Sequence, residues 1–520
     1  MIKKVIISIM LIMAMCFNSV SVLATCDDIK GGSILHAWCW SFKTIEKNMQ
    51  EIADAGYDAV QVSPPQECLI KKDCAKCSKK IVKKVTKKII KKNGKVIKEE
   101  NGEPTYAHKK GCSCFKDNWY FQYQPTNFKI GNYQLGTRTD FKKMCDAAKR
   151  HNVKVIVDIV ANHVTNKLDA VSKEVYDPNK DEFLDVFHGI NNNKNGNDGR
   201  IHINKDWGNR FKVTQGSLYG LYDLNTGKSR VQEMIKNYMN DCLDCGVWGF
   251  RYDAAKHIEL PKEIDGDYGS DFWPNITKNA ADKGAKWQYG EVLQDPNGID
   301  VAKFKEYSKY MDVTASKYGK KIRDAIRGRY LNHNYIMNYE SDGVEDNKLV
   351  TWLESHDNYA NGQDCSEASA WLNDNEIRVG WAIVAGRAAG MPLFFSRPVG
   401  GGGRNIIDKY KSQFPEITKI GDKGSDLFKD PYIVAINKFR KAMKDEDEYL
   451  RSKDNNLLII ERGNKGMVII NWSGNSEVSS ETRLSNGTYV DVISKREFKV
   501  ENGRMFGNTQ NEITILTKKQ

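Results

Sequence analysis

The feature that most restricts the fold of this 520-residue chain is the alternation of short apolar runs with amphipathic segments between residues 33 and 396. The segments between runs have apolar residues three and four positions apart, as in 44–55 and 139–151, which predicts helices. This alternation is typical of βα units around a parallel sheet. The predicted strands are 34–40, 59–63, 153–160, 247–252, 287–292, 311–314, 350–354 and 392–395. Eight such units predict an α/β fold, the (β/α)8 or TIM barrel.

Two connections between predicted strands are too long to be ordinary loops. Residues 66–118 follow the second strand and are rich in Lys and Cys, and residues 162–221 follow the third strand and are rich in Asn, Asp and Gly. Connections that follow strands lie at the C-terminal face of a barrel, where active sites are built. We therefore expect a barrel domain over residues 25–420 with both insertions beside its functional site.

The pattern changes after about residue 420. Strand-like runs at 457–461, 466–472, 488–493, 497–500 and 512–516 are separated by turn signals such as Asn486-Gly487 and Asn502-Gly503. Residues 421–520 are therefore predicted to form a separate all-β sandwich domain.

The formal charge of +12 is concentrated in one stretch. Residues 71–110 contain 15 Lys and four acidic residues, a net charge of +11, so the remainder of the chain is almost neutral. The overall charge is therefore no evidence for a nucleic-acid-binding protein. Hydrophobic residues make up 40% of the chain and aromatic residues 10%, which excludes a disordered, collagen-like or polytopic membrane protein.

The N-terminus has the pattern of a secretory signal peptide. Lys3 and Lys4 precede an apolar run over residues 5–15 that is too short to span a bilayer. We expect a signal peptide over residues 1–24, cleavage after Ala24, and a secreted, extracellular protein with no membrane attachment after cleavage. A retained membrane anchor is the alternative, and a lipid anchor through Cys16 is disfavoured by the bulky Met15 before it.

Four carboxylates follow or end four of the apolar runs, namely Asp158, Asp253, Glu291 and Asp357. One carboxylate at a strand end is often a helix N-cap or a loop residue. Four at the same end of one barrel are costly to bury separately, so together they indicate pairing, a metal or a shared reaction.

The residues around Asp253 favour a reaction. Arg251 lies two positions earlier, so strand periodicity places both side chains on one face, where the positive charge favours an ionised Asp253. Glu291 follows the next strand, and repulsion from a nearby Asp357 would raise the pKa of one of the two, which suits a proton donor. A carboxylate and a protonated carboxyl on neighbouring strands suit retaining glycoside cleavage, at a separation of about 5 Å.

These segments resemble the four sequence blocks of the α-amylase family of glycoside hydrolases: DIVANH, GFRYDAAKH, GEV and ESHDN, in that order. HAWCW, QVSPPQE, YQPTNFKIGNYQLGT, GLYDLNT and PLFFSRP resemble further segments of secreted bacterial α-amylases. The resemblance implies that Asp253 is the nucleophile, that Glu291 is the general acid and then base, and that Asp357 stabilises the transition state.

The same resemblance implies a set of substrate-binding residues. His163, Arg251 and His356 match residues around the sugar at the scissile bond, and Tyr123 matches the stacking platform under it. The positions that match neighbouring subsites are Tyr120, Gln124, Lys256 and His257. Taken alone, Tyr120 and Tyr123 favour core packing, but the Gln-Pro after Tyr123 favours a functional role for that residue.

Asn162 and Asp223 are oxygen ligands of the kind that Ca²⁺ prefers. The resemblance implies that both bind a structural calcium ion, together with backbone carbonyls at Thr214 and His257, and that the ion ties the 162–221 excursion to the barrel. Chloride-activated members have a basic residue where this chain has Met391, so we expect no chloride requirement.

The 66–118 insertion has no counterpart in the family. Cys74-x2-Cys77 and Cys112-x-Cys114 flank a predicted hairpin that turns at Asn93-Gly94, with Cys68 and His108 nearby. These residues suit a Zn²⁺ site or disulfides, with free thiols as a third possibility. The Lys run suits a solvated face or the binding of an anionic cell-surface polymer. Specific nucleic-acid binding is disfavoured, because Tyr106 is the only aromatic residue among the lysines.

The sequence thus predicts a secreted, calcium-stabilised, retaining endo-acting α-amylase that is a monomer and cleaves internal α-1,4 bonds of starch, glycogen and related α-glucans. The alternatives are a transglycosylase of the cyclodextrin-forming type and a catalytically inactive glucan-binding surface protein.

Overall fold

The computed structural model describes residues 29–69, 81–92, 95–108, 114–116, 118–189, 200, 207–263, 266–295, 300–361, 368–403, 413–415 and 418–519. The predicted signal peptide, residues 1–24, lies outside the described residues. Among those described, no helix combines the length and apolar character needed to cross a membrane.

Eight parallel strands close into a barrel, which confirms the predicted fold class. They are β1 (Ile34–Ala37), β2 (Ala59–Val62), β3 (Lys154–Ile159), β4 (Gly249–Tyr252), β5 (Trp287–Gly290), β6 (Asp312–Thr314), β7 (Leu349–Trp352) and β8 (Met391–Phe395). Each strand pairs with its neighbours in sequence, and β1 closes the barrel by pairing with β8, with Ile34 opposite Leu393. All eight predicted strands are present, seven of them shorter than or shifted from their predictions and β8 longer by one residue.

Helices cover the outside of the barrel. The longer ones are Phe42–Asp54, Arg138–Arg150, Ser229–Asp244, Phe272–Asp282, Ser316–Gly328, Asp374–Gly386 and Pro431–Ala442. The shorter helices are Phe183–Val186, Arg210–Gln215, Phe304–Tyr307, His333–Ile336 and His356–Ala360. The 3₁₀ turns are Trp119–Tyr123, Leu168–Ala170, Leu218–Gly220, Ala255–His257, Asp346–Lys348 and Asp426–Lys429. Both helices predicted from periodicity are present, and Thr137 and Asp140 form a capping box at the start of the second.

Successive side chains along each barrel strand point alternately into the barrel and towards the helices, so the strands separate two apolar cores. Ile34, Ala59 and Ile156 belong to a core inside the barrel, with Trp287 and Leu393. Their neighbours along the strands pack outward into the large core shared with the helices. The barrel is therefore filled by side chains and its polar groups are displaced towards its ends.

Both long insertions follow the predicted strands, β2 and β3. In the first, Gln66–Cys68 pairs with Pro125–Asn132, which pairs in turn with Gly136–Thr137. In the second, His163–Val164 pairs with Tyr222–Asp223, so the excursion is closed where it leaves and returns to the barrel.

The predicted hairpin in the first insertion is present as two antiparallel strands, Ile81–Lys92 and Lys95–His108. Lys92 is paired with Lys95, which leaves residues 93–94 to connect them, although those two lie outside the described residues. Cys74, Cys77 and Cys112 also lie outside them. Cys68 is buried and Cys114 half-buried, so the zinc or disulfide site stays a prediction.

The C-terminal region is all-β from Glu448 onward, as predicted, but the predicted domain 421–520 began too early, because it includes the helix Pro431–Ala442 that packs with the helices around the barrel. Its strands are Glu448–Lys453, Leu457–Arg462, Gly466–Asn471, Glu477–Glu481, Gly487–Asp491, Glu497–Glu501, Arg504–Asn508 and Ile513–Lys518. Hydrogen bonds join them in one antiparallel sheet. Residues from both halves of this sheet, such as Ile469 and Phe498, share one core, so the sheet folds over itself as the layers of a sandwich do. Its other face, including Val468 and Ile470, packs into the core of the barrel and helices.

Candidate active site

One guanidinium lies at the centre of the predicted carboxylate cluster. Arg251 Nη1 donates to Asp158 Oδ1 and to Asp253 Oδ1, each at 2.7 Å. Arg251 Nη2 lies 3.0 Å from Glu291 Oε2. The Arg251 side chain is only 5% exposed, so these contacts are scarcely screened by water.

The ends of neighbouring barrel strands place these groups together. Asp158 lies on β3 opposite Arg251 on β4, and Asp253 follows β4 directly. The Asp253 N–H donates to the Ile159 carbonyl at 2.9 Å, and the Glu291 N–H donates to the Tyr252 carbonyl at 2.8 Å. The interstrand hydrogen bonds thus continue past the strand ends and fix both backbones at the C-terminal face.

The turn after Asp253 adds a further contact to Glu291. Ala254 adopts a left-handed conformation, with φ 48° and ψ 35°, and its N–H donates to Glu291 Oε2 at 2.9 Å. Asp357 reaches the same carboxyl from the short helix after β7, where Ser355 is the N-cap, and the Asp357 and Glu291 carboxyl groups share a hydrogen bond. The structure therefore brings all four predicted carboxyls to one place.

The cluster contains four carboxyls and one guanidinium, and the pKa values reflect this shortage of positive charge. Burial raises the pKa of Asp158 to about 6, although Arg251 opposes the rise. Burial, and then the charge of Glu291, raises the pKa of Asp357 to about 8. Burial also raises the pKa of Asp253 well above its ordinary value, against the effect of Arg251.

Glu291 behaves differently from its neighbours. Burial alone would raise its pKa, but Arg251, His356 and the hydrogen bond from Ala254 together lower it. The expectation that repulsion raises the pKa of one of these two carboxyls agrees with the raised pKa of Asp357, where the charge of Glu291 adds to the effect of burial. Against the expectation that Arg251 keeps Asp253 ionised, burial raises the pKa of Asp253 more than Arg251 lowers it.

Aromatic and imidazole rings form one wall beside the carboxyls. Tyr123 and His356 stack with centroids 5.0 Å apart and planes 5° apart. The Tyr123 hydroxyl donates to Asp158 Oδ2 at 3.1 Å, and the His163 ring Nε2 donates to the Tyr123 carbonyl at 3.0 Å. Burial lowers the pKa of His163 to about 4 and that of His356 to about 3, so both rings are neutral at pH 7.

The remaining predicted substrate residues flank this centre. Tyr120 is 39% exposed and lies against Phe121, and Gln124 accepts a hydrogen bond from Thr165. Lys256 Nζ donates to the Leu293 carbonyl at 3.3 Å. The His257 ring is buried and bonds to the Val213 carbonyl at 2.9 Å.

Sequence reasoning missed two residues of this centre. His36 on β1 packs edge-on against His356, with centroids 5.5 Å apart, and Trp119 packs against both Tyr123 and His356. His36 carried a usable signal, since it lies one residue before the C-terminal end of β1, at the same barrel face. Trp119 lies in an insertion without periodicity and carried none.

Two of the predicted calcium ligands are in contact. Asn162 Nδ2 donates to Asp223 Oδ1 at 3.0 Å, and turning this amide over presents its oxygen instead. Thr214 and His257 are buried, and within the described part of the chain no N–H or O–H donates to their main-chain carbonyls. An amide, a carboxylate and main-chain carbonyls are oxygen donors of the kind that suits Ca²⁺.

His188 is a further residue at this second cluster that the sequence did not indicate. Its ring lies between Asp223 Oδ2, at 2.7 Å, and Glu259 Oε1, at 3.0 Å. Burial opposes protonation, but the two carboxylates raise the pKa of His188 to about 10. The ring therefore orients Asp223 and leaves its Oδ1 facing Asn162.

Comparison with known proteins agrees with this geometry. Residues 112–375 match the family described as alpha amylase, catalytic domain. The chain belongs to the alpha-amylase family. It is 35% identical to an alpha-amylase of Butyrivibrio fibrisolvens over 96% of this chain and 48% of that protein. It is 35% identical to an alpha-amylase of Clostridium acetobutylicum over 95% of this chain and 55% of that protein. The chain thus spans about half the length of these two family members.

A solved structure shares the fold. It is a mutant of alpha-amylase I from Eisenia fetida in complex with maltohexaose, with a TM-score of 0.67 and 20% identity, and the match covers 94% of this chain and 98% of that chain.

The raised pKa of Asp357 predicts how stability depends on pH. Its pKa rises from 3.8 to about 8 on folding, so the folded protein binds this proton more tightly than the unfolded chain does. The free energy of unfolding therefore falls as the pH rises from about 4 to about 8. Asp357→Asn removes the titrating group, so its melting temperature should fall less over that window. Thermal melts from pH 4 to pH 8 measure this, with the exposed Asp54→Asn as control. Parallel curves for Asp357→Asn and the parent would contradict the assignment.

Proposed function

We propose that this protein is a retaining, endo-acting α-amylase that hydrolyses internal α-1,4-glucosidic bonds of starch, glycogen and related α-glucans. The observation that carries the proposal is the contact of one guanidinium with both Asp253 and Glu291, since it holds two carboxyls close together at the C-terminal end of a barrel. Close carboxyls suit the retaining mechanism, in which no water fits between them and the sugar in the first step. The alpha-amylases of the same family support the choice of substrate.

In the first step, an oxygen of Asp253 attacks the anomeric carbon as the glycosidic bond breaks. Glu291 gives its proton to the departing glycosidic oxygen, and a glycosyl ester of Asp253 remains. In the second step, Glu291 removes a proton from water, the water oxygen attacks the same carbon, and the ester bond to Asp253 breaks. Because burial raises the pKa of Asp253, this carboxyl must lose its proton before it attacks, and Arg251, 2.7 Å away, favours the carboxylate that reacts.

Asp357 supplies the proton that Glu291 needs. In the free protein the lowered pKa of Glu291 leaves it ionised, whereas the raised pKa of Asp357 leaves that carboxyl protonated at pH 7. Their shared hydrogen bond places the Asp357 proton beside Glu291. A shift of the proton along this bond produces the acid form of Glu291 and an Asp357 carboxylate, which then accepts hydrogen bonds from sugar hydroxyls.

The wall beside the carboxyls holds the reacting sugar. The Tyr123 ring, which is stacked on His356, offers an apolar face to the sugar ring. The neutral imidazole of His163 supports this wall through its hydrogen bond to the Tyr123 carbonyl, and that of His356 faces the sugar. We assign Tyr120, Gln124, Lys256 and His257 to the neighbouring glucose units, as the family resemblance implies.

Conservative changes to the two central carboxyls test this mechanism. Asp253→Asn and Glu291→Gln keep side-chain volume but remove the nucleophile or the proton donor, so each should lower reducing-sugar release from soluble starch by about 10³-fold or more. Melting curves check that the variants are folded, and Asp54→Asn is the matched control. Near-parental activity in either variant would exclude the mechanism. Cyclic rather than linear products from the parent would indicate a transglycosylase.

We also propose a structural calcium ion at Asn162, Asp223 and the carbonyls of Thr214 and His257. The donor set described above supports it, and the ion would join the excursion after β3 to the turn after β4. Its role is structural, because these ligands are separate from the carboxyls that contact Arg251.

Metal removal tests the calcium site. An ion that binds only the folded state stabilises it by about 2.7 kcal/mol at a hundredfold excess over its Kd, so chelation should lower the melting temperature and Ca²⁺ should restore it. Mg²⁺ is the matched control, since it prefers smaller octahedral sites. A melting temperature that is unchanged after verified metal removal would refute the proposal.

We further propose that the Lys-rich hairpin binds an anionic cell-surface polymer. Its two strands, Ile81–Lys92 and Lys95–His108, contain eight lysines and three acidic residues. An extended strand rises about 3.3 Å per residue, so lysines that recur along it suit a chain with repeated negative charges.

Charge removal tests the hairpin. Changing the eight lysines of the two hairpin strands to Gln should abolish salt-sensitive retention on an anionic polymer matrix, whereas changing exposed lysines elsewhere, such as Lys278, Lys309 and Lys495, should preserve most of it. Replacing residues 71–110 by a short Gly-Ser link should leave hydrolysis of short maltooligosaccharides within a few-fold of the parent. Equal retention of all variants would refute a binding surface, and loss of short-substrate activity would show instead that the insertion shapes the cleft.

Secretion is a related proposal. The basic start, apolar run and Ala24 described above support export, and the N-terminal sequence of protein recovered from culture medium should begin at Thr25. Material found only inside cells would contradict it.

A further inference from the structure

One buried ion pair joins the ends of the last two barrel strands, beside the helix that carries Asp357. Arg397, two residues after β8, donates from Nε to Glu354 Oε1 at 2.7 Å and from Nη2 to Glu354 Oε2 at 2.6 Å. Glu354 lies two residues after β7, and the side chains of Arg397 and Glu354 are 5% and 3% exposed. A bidentate pair that is this well buried fixes both groups in distance and in orientation.

Arg397 also holds the segment that returns over this helix. Its Nη1 donates to the Leu372 carbonyl at 2.8 Å, and its Nη2 donates to the Ser369 carbonyl at 2.9 Å. The Ser369 N–H donates in turn to the Asn358 carbonyl at 3.0 Å, within the helix His356–Ala360. One guanidinium thus connects the approach to the helix with the segment that packs on it.

The helix His356–Ala360 depends on such contacts for its position. It has only five residues, and a helix of that length has little stability of its own. Glu354 lies three residues before Asp357, and the Arg397 guanidinium lies 5.1 Å from the centre of the Tyr359 ring. A shift of the ion pair would therefore be passed directly to the helix.

The Asp357 carboxyl needs a fixed position because it shares a hydrogen bond with Glu291. Asn361 Nδ2 donates to Asp357 Oδ1 at 3.0 Å, and His356 Nε2 lies 3.5 Å from Asp357 Oδ2. Asn361 and His356 move with the helix, so neither can fix Asp357 relative to Glu291. The other titratable groups within electrostatic reach of Asp357 are Arg251, Asp158 and Tyr219.

We propose that Arg397 is a positioning residue, which through its ion pair with Glu354 holds the helix where the Asp357 carboxyl reaches Glu291. The inference rests on the proposed function, in which Asp357 supplies the proton that Glu291 needs. Arg397 acts through the helix and not on the sugar, since its hydrogen bonds go to Glu354 and to two main-chain carbonyls. Catalysis is sensitive to such placement, because a displacement of about 1 Å can cost about a hundredfold in rate.

Kinetics of variants in the pair test the positioning role. Arg397→Gln should lower kcat for maltoheptaose by about ten- to a hundredfold and change KM by less than about threefold, because proton transfer is affected more than binding. The double variant Glu354→Gln/Arg397→Gln leaves no unpaired charge in the interior, so it avoids the main cost to folding, and its kcat should be equally low.

A second buried arginine provides the matched control. Arg387 Nε donates to Glu448 Oε2 at 2.7 Å, where the barrel meets the C-terminal sheet. Arg387→Gln should therefore lower the melting temperature but leave kcat within about twofold of the parent. Parental kcat in the double variant of Glu354 and Arg397, or an equal loss of kcat in Arg387→Gln, would overturn the positioning role.

A measurement without turnover keeps this inference separate from the proposed function. A displaced Asp357 carboxyl is better hydrated and loses its proton at lower pH. Asp357→Asn should therefore change the dependence of melting temperature on pH, between pH 4 and pH 8, less in the Glu354→Gln/Arg397→Gln background than in the parent. An equal change in both backgrounds would overturn the positioning role. A smaller change in a protein that releases no reducing sugar would overturn the proposed hydrolysis and leave the positioning role standing.

Discussion

The site depends on the balance between one buried positive charge and the carboxyls around it. Arg251 bridges β3, β4 and the residue after β5 through Asp158, Asp253 and Glu291, so it fixes the relative positions of three strand ends. Removing the guanidinium would leave buried carboxylates without a counter-charge, one of the costliest changes that a protein interior can undergo. One positive charge cannot neutralise four carboxylates, so part of the cluster stays protonated. The proton transfer proposed from Asp357 to Glu291 depends on this lack of positive charge.

The same logic explains which parts could be predicted from sequence. Strands were predictable because apolar β-branched runs recur at regular intervals, and the meeting of Asp158, Asp253 and Glu291 followed because parallel strands end at one face. The order of the carboxyl pKa values could not be predicted from the sequence, because it depends on which carboxyl oxygen lies about 3 Å from Arg251. His188 and Tyr219 were also beyond sequence reasoning, since the excursion has no periodicity to place a side chain.

The barrel and the C-terminal sheet are joined by buried arginines as well as by apolar packing. Arg440, from the helix before the sheet, and Arg462, from its second strand, both donate to the Arg387 carbonyl, at 2.5 Å and 3.1 Å. Arg440 also donates to the carbonyls of Gly32 and Gly390, on the approaches to β1 and β8. The pairing of β1 with β8, which closes the barrel, is thus stabilised by arginines from outside the barrel, at the face opposite the carboxyls. Substitutions in the C-terminal region can therefore affect closure of the barrel without touching the cleft.

The short sheet at the base of the first insertion has a consequence for how such chains diversify. Gln66–Cys68 lies beside Pro125–Asn132, so the two ends of the intervening segment are pinned together by backbone hydrogen bonds whatever lies between them. A segment whose ends are already adjacent can lengthen, shorten or be exchanged with little loop-closure penalty. Additional domains can therefore be inserted at this position during evolution without disturbing the barrel. A protein fused here in the laboratory would lie at the rim of the cleft, and the strand pairing of the barrel would not depend on it.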